Sequence, residues 1–219
     1  MAPDAGLMNR LQLRYETTED QITLRPFIDG QDLLAGFNND HGRDPDDLLP
    51  PLSTQLFPTR DGRTAIIGTC SCGETGCGSL AIRIRRTRSE VVWEATDSPG
   101  CETLHRSYSF DLTSYLDAVD DAAGDPPQGE GQGRRVGRAV RVLLGMYEQK
   151  YGTVTLFHQA KIDWISAWPW PSDVVKASVS SVNGQTVHEF RSHPGERDAK
   201  FAARVAAELH RMRLPSSPA

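Results

Sequence analysis

Polar and apolar residues alternate near the start of the chain: Leu11, Leu13 and Tyr15 are interleaved with Gln12, Arg14 and Glu16. A period of two puts one set on each face of a strand, so this stretch predicts a half-buried β-strand. Ile22, Leu24, Phe27 and Ile28 continue a β-rich opening that runs to Leu34. It is interrupted by Asp29-Gly30, a dipeptide suited to turns at positive φ. Residues 36–63 read as a long surface loop. They carry Asp40, Asp44, Asp46 and Asp47 together with Pro45, Pro50, Pro51 and Pro58, and prolines at that density remove backbone donors. Residues 64–69, 80–85 and 91–94 then predict a three-stranded antiparallel meander, with Leu80, Ile82 and Ile84 on one face of its middle strand. A fourth short strand around 106–110 is expected to join it.

Helical periodicity begins after that. Asp111 can cap a helix running to about Ala123, with Leu112, Tyr115, Leu116 and Val119 along one face. Residues 124–133 form a flexible linker by composition. A second helix follows over about 134–151, with Val136, Val140, Leu143, Leu144 and Tyr147 as its apolar stripe. Residues 154–157 suggest a strand, and 164–171 an irregular aromatic stretch. Residues 174–182 and 185–191 predict a hairpin turning at Asn183-Gly184, which would set Val179 opposite His188 and Ala177 opposite Phe190. The last helix spans about 198–213, with Phe201, Val205 and Leu209 spaced by four. The fold class is therefore α+β: an antiparallel β meander with a cysteine-rich loop, followed by helices and a C-terminal β-hairpin plus helix. Three regions result: 1–123, rich in strands; the linker 124–133; and 134–219, which either folds alone or shares one core with the first.

Composition narrows the function classes. The 219 residues carry 24 Lys+Arg against 29 Asp+Glu, a formal net charge of −5. A non-specific nucleic-acid coat is usually basic, so that class is disfavoured. No run of 18 apolar residues occurs, which excludes a helical membrane span. The opening MAPDAGLMNR lacks the basic n-region and long apolar h-region of an export signal. Four clustered cysteines make a poor disulfide framework, and together these features predict a cytoplasmic protein.

Three of those cysteines fall within eight residues between two predicted strands, in Cys70-Ser-Cys72-Gly-Glu-Thr-Gly-Cys77-Gly. The glycines let the backbone curl so that thiolates can converge. A tetrahedral zinc ion takes four sulfur or nitrogen ligands, with sulfur at about 2.3 Å and nitrogen at about 2.0–2.1 Å. The loop offers Cys70, Cys72 and Cys77, and the fourth ligand would be Cys101 or His105, in the segment after the third strand. The same residues also suit buried inert thiols, a disulfide from Cys70 or Cys72 to Cys77, or one reactive cysteine.

Residues 25–34, with Ile28-Asp-Gly30 followed by Asp32-Leu-Leu34, the glycine-rich cysteine loop at 68–80, and the strand ending Val91-Val-Trp93 resemble a family of uncharacterised actinobacterial proteins. The resemblance covers about residues 22–95 and implies a bacterial protein of this architecture, without implying a reaction. Some relatives carry a histidine soon after the tryptophan strand, which implies His105 as a ligand, while Cys101 lies close by in this chain.

Other patterns have simpler readings. Gly129, Gly131 and Gly133 precede a helix but no strand precedes them, so they lack the context of a dinucleotide fingerprint. Arg134, Arg138 and Arg141 share a helical face and suit either an acidic ligand or the protein's own acidic residues 117–130. Trp164, Trp168 and Trp170 suit core packing or ring stacking. Asp29 and Asp32 flank a turn and read as turn chemistry. No hydrolase elbow, zinc-protease helix or kinase signature is present. The expected function is an interaction protein with an unidentified protein partner and a structural zinc or thiol loop. The alternative is a small metal- or cysteine-dependent enzyme.

Overall fold

The computed structural model describes residues 8–18, 22–38, 40–70, 78–96, 101–104, 106–124, 130–151, 160–166, 173–181 and 184–213. The chain forms two compact units, Met1–Pro127 and Gln128–Ala219, each with its own cluster of buried apolar side chains. The architecture is α+β, with antiparallel sheets and, among the described residues, four α-helices.

Strands dominate the first unit. β1 (Leu11–Thr17), β2 (Ile22–Ile28) and β3 (Gln31–Asp32) form one antiparallel sheet. The β2–β3 turn is Asp29-Gly30, with φ of 53° and 81°, as two-residue hairpins require. The larger sheet runs β4 (His41–Gly42), β5 (Arg63–Thr69), β6 (Ser79–Arg86), β7 (Glu90–Glu94) and β9 (Tyr108–Asp111), and β8 (Cys101–Glu102) pairs with β6. Two bridges join the sheets. Leu24 donates its N–H to Arg43 O at 2.7 Å, and Asn9 donates to Ser109 O at 2.7 Å. The strands thus close into a ring, with α2 (Leu112–Gly124) packed on β1, β7 and β9. Asp111 caps α2 as its position predicts, accepting the Ser114 N–H at 2.9 Å. Inside the ring, Trp93, Phe110 and Tyr115 meet edge-on or tilted, with centroids 5.4–6.1 Å apart.

Residues 36–63 are more ordered than their prolines suggest. They hold β4 and a short helix, α1 (Pro45–Leu48), and Leu48, Leu49 and Leu56 are buried in the main core. Proline at the first helical position costs no hydrogen bond, and Asp44 caps it by accepting the Asp46 N–H at 2.9 Å. Counting prolines as breakers overlooked that pairing.

The second unit stacks α3 (Gln132–Tyr151) and α4 (Asp198–Arg213) against a sheet of β10 (Ala160–Ser166), β11 (Val174–Ser181) and β12 (Gly184–Arg191). Phe201, Val205 and Leu209 on α4 are fully buried with Val136 and Val140 of α3 and Val175 and Ala177 of β11. Two expectations are corrected. Trp164 lies in strand β10, paired with Ser178 just after a shift of register, while 167–171 of the expected irregular stretch lie outside the described residues. The hairpin register is also shifted by two: Ser181 pairs with Gly184, Ala177 with His188 and Val175 with Phe190. A shift by two returns each side chain to the same face, so Ala177, Val179 and Phe190 still point into the core. The strand expected at 154–157 lies outside the described residues.

Candidate functional site

The cysteine-bearing end of the large sheet is built from backbone register. β5 and β6 pair so that Thr69 faces Ser79, and β8 runs parallel to the start of β6 so that Ser79 faces Cys101. On the other side, His41 of β4 faces Thr69. One row across the sheet therefore reads His41–Thr69–Ser79–Cys101. Half-buried Cys70 follows this row directly, and Cys77 precedes it by two residues in sequence. β7 covers only residues 83–86 of β6, which leaves the first residues of β6 open to β8 on that edge. Glu102 is tied down as well, accepting from Asn38 Nδ2 at 2.8 Å.

Cys72, Cys77 and His105 lie outside the described residues, as does the side chain of Cys101. Among the described residues, no group of three or more His, Cys, Asp and Glu side chains is placed to hold a metal ion. His41, at the edge of the same row, was not singled out in the sequence. It sits in a two-residue strand within the supposed loop, and only pairing with β5 reveals its position.

Other predicted residues resolve into structural roles. Glu130 takes Arg134 and Arg138 as ion-pair partners, with Arg134 Nε 3.3 Å from Oε1, and its backbone carbonyl accepts from Arg135. Asp198 accepts from Gln132 and Arg135 at the same end of α3. The protein's own carboxylates thus occupy the N-terminal end of α3, the end at which a helix dipole favours anions. Asp29 accepts from Arg10 N at 2.8 Å and Asn9 Nδ2 at 2.6 Å, bonds that hold its carboxyl below the usual carboxylate range. Asp32 binds Arg25 at 2.6 Å and the Leu34 N–H at 2.9 Å. Trp164 is 39% exposed, whereas Trp168 and Trp170 lie outside the described residues.

Among the described residues, the concave surfaces of the first unit include two larger ones and a smaller one of about 230 Å³ beside Asp32, Leu104 and Arg106. One of the larger pair, about 850 Å³, lies between β1 and α2 and is lined by Leu13 and Tyr15 on one side and Asp117, Ala118 and Asp121 on the other. The other, about 540 Å³, is lined by Arg60, Arg85, Arg86, Thr87 and Arg88. The sequence carries a signal for the latter in Arg83, Arg85, Arg86 and Arg88, four arginines within six residues. No helix among the described residues is long and apolar enough to cross a membrane. Comparison of the chain with known protein families, with curated proteins and with solved structures finds no match.

Proposed function

We propose that this chain is a binding protein whose strand-rich unit is stapled by a zinc ion on the cysteine loop. Cys70, Cys72 and Cys77 supply three ligands, and Cys101 or His105 supplies the fourth. The observation that supports the reading is the backbone row Thr69–Ser79–Cys101. Both ends of the loop and the segment with the remaining cysteine converge on adjacent strands at one end of the sheet. Neighbouring strands lie about 4.8 Å apart, a spacing that thiolates from two of them can span to share one metal.

Four protein ligands close the coordination shell and make the metal structural, whereas a catalytic zinc keeps a position open for water. A closed site on a ring of strands suits binding better than turnover, and the concavities of the first unit offer surfaces for it. Chelation tests the reading. A zinc-selective chelator should lower the melting temperature of the wild type and leave a Cys72→Ser variant unchanged at an already lower value. Equal melting temperatures in all four conditions would contradict it.

A further inference from the structure

The arginine-lined concavity lies at the other end of β6 from the cysteines. Ser79 to Arg86 spans roughly 24 Å at the rise of an extended strand. The inference therefore goes beyond the zinc staple and stands whether or not a metal binds. β6 and β7 turn at residues 87–89, and Thr59 bridges Arg85 in parallel, accepting the Arg86 N–H at 2.9 Å. That bridge brings Arg60 beside Arg85, Arg86 and Arg88, although 25 residues of chain separate Arg60 from Arg85.

The charge arrangement is unusual for a chain with net charge −5. The lining residues, among those described, include four arginines and no Asp or Glu. Among the described residues, Glu94 reaches Arg83 at 3.9 Å and Arg85 at 3.5 Å, but no ion pair reaches Arg60, Arg86 or Arg88. Like charges held together repel one another and favour any anion that enters between them. Guanidinium forks match phosphate oxygens in pairs, and a cavity of this size falls in the range of small-ligand sites, about 300–1,000 Å³.

We propose that Arg60, Arg85, Arg86 and Arg88 form a binding site for a compact, multiply charged phosphate: a di- or triphosphate, free or as part of a nucleotide. A compact ligand suits a concavity made by one hairpin turn and one crossing loop. An extended nucleic acid would need a continuous basic track, which an acidic chain is poorly composed to supply.

Calorimetric titration with inorganic tripolyphosphate at low salt tests the proposal. Binding to one site is expected, weakening as salt rises. The Arg86→Gln/Arg88→Gln double variant should bind at least about tenfold more weakly. Arg197→Gln, which removes an exposed charge in the second unit, should bind as the wild type does. These side chains are exposed or half-buried, so the double variant should keep its melting temperature without ligand and lose only the ligand-induced rise. ATP serves as the second probe: affinity equal to that for tripolyphosphate indicates that phosphates alone are read, and tighter binding adds a contact to the nucleoside. The proposal is overturned by absence of binding at millimolar tripolyphosphate, by undiminished binding in the double variant, or by equal loss in Arg197→Gln. It is likewise overturned if a single-stranded DNA oligonucleotide binds through these arginines while tripolyphosphate does not.

Discussion

Trp93 donates its indole N–H to the hydroxyl of Tyr115 at 3.2 Å, and that hydroxyl donates onward to the Leu56 carbonyl at 2.8 Å. Both rings are fully buried. A strand, a helix and the proline-rich segment are thus joined through one phenol. Burial pushes the Tyr115 phenol well above the usual tyrosine range, so it remains a donor at all ordinary pH values. Tyr115→Phe should strand the indole N–H and the Leu56 carbonyl and cost about 1–3 kcal/mol. Urea denaturation checks it, and an unchanged midpoint would show that the chain of bonds contributes nothing.

In the second unit, Phe201 is fully buried between helices α3 and α4 and the sheet. Phe201→Ala should lower stability by about 3–5 kcal/mol through lost burial and a residual cavity. Chemical denaturation at the wild-type midpoint would refute the packing assigned to this stripe.

Two glycines with open space around them should respond with opposite signs. Gly184 opens β12 at φ +111°, where side chains are strained, so Gly184→Val should lower the melting temperature even though nothing obstructs the added atoms. Gly145 sits within α3 with no neighbour within 4 Å of a built Cβ. Gly145→Ala should raise stability by about 0.5–1 kcal/mol through higher helix propensity and a less flexible unfolded chain. Thermal melts of both variants provide the comparison, and shifts of the same sign would contradict it.

Glu196 gives the second unit an acid-sensitive contact. The Arg204 guanidinium, at 2.8 Å, and then the His193 N–H hold its carboxyl down to about 2, from an ordinary value of 4.5. A carboxyl held below its ordinary range in the folded state gives a stabilising contribution that is complete above the unfolded value. It declines as pH falls from about 4.5 towards about 2. Melting temperature measured from pH 6 to pH 2 should fall more steeply for the wild type than for Glu196→Gln. Parallel curves would show that the pair is not linked to folding.

Much of this fold is legible in the sequence because burial there follows simple periods. The meander, the Asp111 cap and the stripes of α2, α3 and α4 all occur where alternation or three-to-four spacing places them. The exceptions have local causes. In β10, Ile162 and Ile165 both pack against the core although they are three residues apart. A bulge at Asp163 absorbs the extra residue, which hides the strand from a period-two reading. The bulged Asp163 accepts hydroxyl bonds from Ser178 and Ser180. In the hairpin, Asn183-Gly184 is a strong turn signal, yet Gly184 itself belongs to β12 and pairs with Ser181. Pairings between distant segments are not written in local pattern at all. His41 beside Thr69, Cys101 beside Ser79 and Arg60 beside Arg85 depend on strand order, which hydrophobic periodicity does not encode.

The measurement that bears most directly on the zinc staple is elemental analysis of the purified chain. About one equivalent of zinc is expected in the wild type, as for a single site with four ligands. Cys72→Ser should lose it. Of Cys101→Ser and His105→Ala, only the one that removes the fourth ligand should also lose it. Wild-type protein free of metal, with the same melting temperature as Cys72→Ser, would contradict the account.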